Sequence, residues 1–181
     1  MSDDLLSKVA RVTVKFGEFT LRSGRTSDHY LDVKNLSAYP AIEKELVERL
    51  IRPEVDRKTL DGRNYTCIAG YGLGGQHLAS VVGSICEIPA TLVREAKKGY
   101  GTGKIFEGHE PTEADVVLII DDVLTSGSSL RETRDLIAPT RAAFNYLVVV
   151  NRAKVIPDDL GGKVRWIFSE QELLEAARSR L

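Results

Sequence analysis

Apolar runs long enough to cross a membrane are missing from this 181-residue chain, and its start, Met1-Ser2-Asp3-Asp4, is acidic where a secretory signal is basic. Neither a membrane span nor a leader is expected. Cysteine is scarce. Cys67 and Cys86 stand in apolar surroundings and read as small buried hydrophobes, as in a reducing cytoplasm, rather than as a disulfide. Without clustered histidines they make no zinc site. An excess of either charge is also lacking: 25 Lys and Arg face 26 Asp and Glu, a net charge of −1, which gives no global attraction to nucleic acid or acidic membranes. No internal repeat or low-complexity segment interrupts the chain. What remains, 43% hydrophobic and 28% charged, is an ordinary globular composition. The length predicts one domain over residues 1–181 with a sizeable core.

The most informative stretch runs from Val116 to Ser129. Val116-Val117-Leu118-Ile119-Ile120 has no polar alternation and reads as a strand buried on both faces, as in a parallel sheet. Asp121 and Asp122 stand where such a strand ends. Small and hydroxylated residues follow, and Leu130 resumes a helical pattern to Ile137, stopped by Pro139. Strand, acid pair, small-residue turn and helix start define a crevice at the carboxyl edge of an open α/β sheet. Free N–H groups and the helix dipole suit a phosphate there. Gly127 permits close backbone approach, and Thr125, Ser126, Ser128 and Ser129 add hydroxyls. The aspartates repel a bare phosphate, so they need another task. Bonding the vicinal hydroxyls of a sugar, or supporting a magnesium ion through water, fits. An ordinary acidic turn is the alternative. No Gly-Lys-Ser/Thr ending is present, so this is not a Walker A loop.

Residues 117–127 resemble the phosphoribosyl-diphosphate (PRPP) binding signature of type I phosphoribosyltransferases. The resemblance implies an α/β fold with a mostly parallel central sheet flanked by helices and a small N-terminal hood, here residues 16–34 joined by the strand 164–168. It gives the ribose hydroxyls to Asp121 and Asp122, and the 5′-phosphate to the backbone and hydroxyls of Val123, Leu124, Thr125, Ser126, Gly127, Ser128 and Ser129. It also implies Mg²⁺, held through PRPP and water without a direct protein ligand.

Along the rest of the chain, residues 4–15 read as an amphipathic helix, and 16–25 with 29–33 as a hairpin outside the main sheet. Residues 40–51 predict a second helix, followed by a polar connection from Pro53 to Asn64. Strand 65–69 leads into Gly70-Tyr71-Gly72-Leu73-Gly74-Gly75, a second candidate anion cradle, and a helix from about Gln76 to Ile85. His77 reads as packing at that helix start. Strand 89–94 precedes residues 95–108, whose glycines and lysines predict a mobile cationic loop. Phe144 to Val150 is another buried strand and 164–168 the last one, with Trp166 read as core. Ser169-Glu170-Gln171-Glu172 is a capping box opening a closing helix.

Two segments narrow the resemblance. Phe16-Gly17-Glu18-Phe19-Thr20-Leu21-Arg22-Ser23-Gly24-Arg25-Thr26-Ser27 is similar to the opening signature of the orotate phosphoribosyltransferases, where it forms a hood over the base. Residues 95–108 are similar to the catalytic loop of that branch, which reaches across a dimer interface. The resemblance implies Lys98 as catalytic together with Asp121 and Asp122. It implies diphosphate binding by Arg94, Lys97, Tyr100 and the backbone of Gly72, Leu73 and Gly74, and orotate binding by Arg22, Tyr30, Thr125 and Arg152. It further implies PRPP and orotate as substrates and a homodimer. The chain departs from the branch at Arg22 (commonly Lys), His29 (commonly aromatic), Leu31 (often a second aromatic), Glu95 (often Lys), Tyr100 (often His) and Asn151 (often Asp). An arginine fork and a lysine point charge are not interchangeable. Transfer to another base, such as uracil or a purine, therefore remains an alternative. So does a PRPP-sensing regulator without catalysis, although no basic face or DNA-binding unit is visible.

Overall fold

The computed structural model describes residues 2–20, 24, 26–57, 59, 62–94, 104–160 and 163–179. Its main sheet has six strands in the order β5-β4-β3-β6-β7-β8. They are β3 (Cys67–Tyr71), β4 (Ala90–Val93), β5 (Phe106–Gly108), β6 (Val116–Leu124), β7 (Ala143–Asn151) and β8 (Val164–Ser169). All neighbours are parallel except β4 and β5. The unalternating apolar runs of β6 and β7 follow from burial on both sides. Val116, Leu118 and Ile120 join one core, and Val117 and Ile119 the other.

The first core is closed by α1 (Ser2–Thr13), α2 (Pro40–Leu46), α3 (Arg52–Asp56), α4 (Gly72–Cys86) and α6 (Glu170–Arg178). Leu130 and Ile137 of α5 (Ser128–Ile137) help to close the second, together with Leu160. Because β4 and β6 lie on opposite sides of β3, the strand order reverses between β3 and β6, and a crevice opens at their carboxyl ends. Both candidate anion turns lie at that switch point.

A separate antiparallel ribbon, β1 (Val14–Thr20) with β2 (Thr26–Leu31), forms the expected hairpin outside the main sheet. Strand 164–168 does not belong with it. β8 pairs in parallel with β7, from Val164 opposite Tyr146 to Ser169 opposite Asn151. The burial of Phe168 explains this, since an exposed hood would leave it in water. Trp166, expected in the core, is 44% exposed. At the sheet edge it has no covering layer.

Other boundaries moved for local reasons. α1 stops at Thr13, whose carbonyl accepts from the Asp32 N–H. The helix expected to end at Ile51 continues to Asp56 through a π turn, Val47–Ile51. That turn hands the Arg52 N–H to the Val47 carbonyl, and Pro53 then falls in the first turn of α3, where a missing N–H costs little. α4 begins four residues before Gln76, so the glycine-rich stretch is its first turn rather than a loop. Gly72 there has φ +63°, a conformation that favours glycine. β5 lies within the stretch expected as a cationic loop and closes the sheet edge antiparallel to β4. The capping box is present in full: Ser169 Oγ accepts from the Glu172 N–H, and the Ser169 N–H donates to the Glu172 carboxylate. Among the described residues no helix is long and apolar enough to cross a membrane. Cys67 and Cys86 are both free thiols.

Candidate functional site

β6 carries the acid pair into the crevice. The strand does not end before the aspartates, as its apolar run suggested, but continues through them to Leu124. It can do so because β7 runs alongside, with Asp121 opposite Val148 and Leu124 opposite Asn151. Asp121 is 8% exposed. Its Oδ1 accepts from the Asp122 N–H at 2.9 Å, and Asp122 Oδ1 accepts from the Val123 N–H at 2.8 Å. Burial, and then the charge of Asp122, push the Asp121 carboxyl up to about 8. Asp121 thus holds a proton more firmly than an ordinary carboxyl and can donate as well as accept. Lys34 Nζ donates to the remaining Asp122 oxygen, Oδ2, at 3.3 Å.

The two turns meet at this carboxylate. A Cβ placed on Gly74 would stand 2.5 Å from the Asp122 carboxyl group, so only glycine lets α4 begin against the acid. Gly72 and the well-exposed Leu73 open the same turn, and no side chain caps its N–H groups. Here the sequence-derived residues Gly72, Leu73, Gly74, Asp121 and Asp122 come together.

Behind the acids, Thr125 and Ser126 are exposed, and Gly127 turns the chain at φ +77° into α5. No side chain caps α5 either, which leaves its first N–H groups for an anion beside the hydroxyls of Ser128 and Ser129. Val123 and Leu124 point into the protein and contribute backbone; Leu124 is 1% exposed. The turn is braced from outside. Arg131 donates to the Ser126 carbonyl at 2.7 Å and forks onto Asp159, each bond 2.8 Å. Arg134 adds a contact to Asp159 at 2.9 Å.

The hairpin supplies Tyr30, half-buried, with its ring centroid 5.6 Å from that of Phe19. Arg152 follows β7 and is tied to the motif by its N–H, which donates to the Leu124 carbonyl at 2.9 Å. Its side chain is engaged: Nε lies 2.7 Å from Glu170 Oε1. The same oxygen lies 2.9 Å from His29 Nε2, and His29 Nδ1 is 2.7 Å from Asp28. Arg94 follows β4 and pairs with Glu107 at 3.1 Å, both half in solvent. His77 is bound to the buried Glu43 at 2.6 Å, which agrees with a packing role. Arg22, Lys97, Lys98 and Tyr100 lie outside the described residues.

Sequence reasoning missed Lys34 and Glu170. Lys34 stands 88 positions from Asp122, and no local pattern announces that pairing. Glu170 was visible only as a member of the capping box. Its meeting with Arg152 and His29 depends on β7, β8 and the hairpin ending side by side.

Among solved structures, the Mycobacterium tuberculosis orotate phosphoribosyltransferase in complex with Fe(III) dicitrate is similar over 94% of this chain and 97% of its own. Its TM-score is 0.74 and its identity 26%. The acid pair at the switch point of a mostly parallel sheet is thus set in a type I phosphoribosyltransferase fold. No protein-family model matches the chain. Curated relatives narrow the class. The orotate phosphoribosyltransferase of Pyrococcus horikoshii is 31% identical over 182 aligned positions, 98% of this chain and 95% of its own. That of Pyrococcus furiosus is 34% identical over 168, covering 91% and 90%. The chain belongs to the orotate phosphoribosyltransferase family.

Proposed function

We propose that the protein transfers the 5-phosphoribosyl group of PRPP to N1 of orotate. The bond from ribose C1 to the diphosphate oxygen breaks, and diphosphate leaves with its electron pair. A C1–N1 bond forms as N1 gives up its proton. The observation that carries this reading is the Asp122 carboxylate in contact range of the glycine turn of α4, which joins a hydroxyl-binding group to an anion-binding helix start.

Each residue then has a task. Asp121 and Asp122 bond the ribose 2′ and 3′ hydroxyls, one as donor and both as acceptors. The backbone of residues 123–127 and the hydroxyls of Thr125, Ser126, Ser128 and Ser129 take the 5′-phosphate. The N–H groups of Gly72, Leu73 and Gly74 take the diphosphate, with Arg94, Lys97 and Tyr100. Lys98 neutralises the leaving group as C1 becomes cationic. Arg22, Tyr30, Thr125 and Arg152 receive orotate, Tyr30 by stacking and the arginines by charge. Excluding water from the crevice protects the sugar cation from hydrolysis.

Mg²⁺ fits this donor set as a water-bridged ion: Asp121 and Asp122 are adjacent at the end of β6, and the Asp122 carboxyl stands against the glycine turn of α4. Bound with PRPP, it would neutralise diphosphate charge. A homodimer, with the loop of residues 95–108 serving the partner's diphosphate, and a cytoplasmic location complete the reading. The free thiols of Cys67 and Cys86 suit a reducing compartment.

The test is direct. The protein, Mg²⁺, PRPP and orotate are mixed and the loss of orotate absorbance is followed; no loss overturns the proposal. Transfer to a base without a carboxylate is the second reading, favoured by the occupation of Arg152 by Glu170. Uracil and purines in the same assay decide between them.

A further inference from the structure

The acid pair needs a counter-charge, and the structure assigns one that no motif contains. Lys34 follows β2 in a 3₁₀ turn, Val33–Ala38. Its backbone is firmly set. Val33 and Leu36 on either side are 2% and 0% exposed, Asn35 Nδ2 donates to the Val12 carbonyl at 2.7 Å, and Ser37 Oγ donates to the Lys34 carbonyl at 2.9 Å. From this anchor the side chain reaches Asp122 Oδ2 at 3.3 Å, with Asp32 Oδ1 at 3.9 Å. Among the described residues it is the cation paired with the acid pair. The other Asp122 oxygen is held by the Val123 N–H, so the two contacts together fix the carboxylate plane. Burial works against the Lys34 ammonium. Together, the charge and hydrogen bond of Asp122, with smaller help from Tyr30 and Asp32, outweigh it, and the ammonium is held above its ordinary range.

We propose that Lys34 is a positioning residue: it aims the Asp122 carboxylate at the pentose and ties the base-side hairpin to the pentose side of the crevice. This rests on the reading of the acid pair as the pentose grip. Three features support it. Lys34 is 35% exposed, so the pairing is not forced by burial. The Asp122 carboxyl already stands against Gly74, which has no side chain to hold it from that side, so Lys34 holds Oδ2. The segment carrying Lys34 also carries Tyr30, so one short stretch of chain reaches both the base and the pentose halves.

The experiment uses Lys34→Met, which keeps the length and removes the charge, and Lys34→Arg, which keeps the charge. PRPP with Mg²⁺ is titrated by calorimetry in the absence of any base, and KM is measured for PRPP and for orotate. A thermal melt verifies folding. Should Lys34→Met melt early, Lys34→Gln provides the same reading. The expected result is a loss of PRPP affinity of about tenfold or more in Lys34→Met, the scale of a charge-assisted hydrogen bond. The orotate KM should change little, and Lys34→Arg should regain most of the PRPP affinity. Unchanged PRPP binding in a folded Lys34→Met overturns the inference. So does an equal loss for both substrates, or a failure of Lys34→Arg to rescue, since each marks a structural role. If wild-type protein binds PRPP but transfers nothing to orotate, the base assignment fails and the calorimetric comparison still judges Lys34. If wild-type protein gives no heat with PRPP, both fall.

Discussion

The two halves of the crevice are built by different means. On the pentose side, backbone does the positioning: β3 and β6 end together, two helices begin there uncapped, and glycines at 72, 74 and 127 bring main chain close. On the base side, side chains do it. A two-stranded ribbon, the start of α6 and the residue after β7 are linked by His29, Glu170 and Arg152 through charged contacts of 2.7 to 2.9 Å. Backbone geometry is costly to change, whereas partly exposed ion pairs contribute little and are easily exchanged. On the proposed reading, the donor sugar meets a surface set by backbone and the acceptor base one set by exchangeable side chains. Two departures of this chain from its family, His29 and Leu31, stand on the hairpin of the base side, whereas Arg22, Glu95 and Tyr100 lie outside the described residues.

Four measurements test that contrast. The largest effect is expected from Lys98→Ala, which should cut turnover by about 10² or more while PRPP still binds. An unchanged rate removes Lys98 from the chemistry. Next, Gly74→Val should weaken PRPP binding by about tenfold or more without changing the base preference, because its Cβ meets the Asp122 carboxyl. A shift in base preference instead would mean that the two halves are not separate.

Asp121→Asn should lower turnover and raise stability. The carboxyl folds with its affinity for protons raised to about 8, so the native state holds a proton that the unfolded chain releases. Nothing is lost below the ordinary value of 3.8, and the penalty grows as pH rises from there to about 8. Asparagine removes it. At pH 7 the variant should melt a few degrees higher, with about 2–4 °C for each kcal/mol. The advantage should shrink toward pH 4. A lower melting temperature at pH 7 would refute the account. The smallest effect is expected from Glu170→Gln. It frees Arg152 and should strengthen orotate binding severalfold while leaving PRPP affinity alone; equal changes for both substrates would break the comparison.

Much of the fold and of the pentose side was legible where it is local in sequence. The apolar run before Asp121, the hydroxyls after Leu124 and the capping box at Ser169 each act over a few residues, and each appears where expected. What escaped depends on partners distant in the chain. β6 outran its apolar stretch because β7 extended beside it. The helix passed Pro53 because a π turn absorbed the missing N–H. β8 joined the main sheet because Phe168 needed covering, and Trp166 stayed outside because the edge strand has no neighbour. Lys34 and Glu170 are single charged residues whose roles arise only where three elements meet.

The turn after the acid pair leans on a residue from elsewhere. A Cβ on Gly127 would lie 2.5 Å from Leu160 Cδ1, and Leu160 is itself fully buried. The nearest atom of the wall behind this turn therefore belongs to a leucine 33 positions downstream of Gly127, with Leu124 and Pro157 each 3.6 Å from the same point. Trimming that leucine to alanine would slacken the turn from behind. Variation at that one position would thus reach the turn through packing alone, without altering Thr125, Ser126, Ser128 or Ser129.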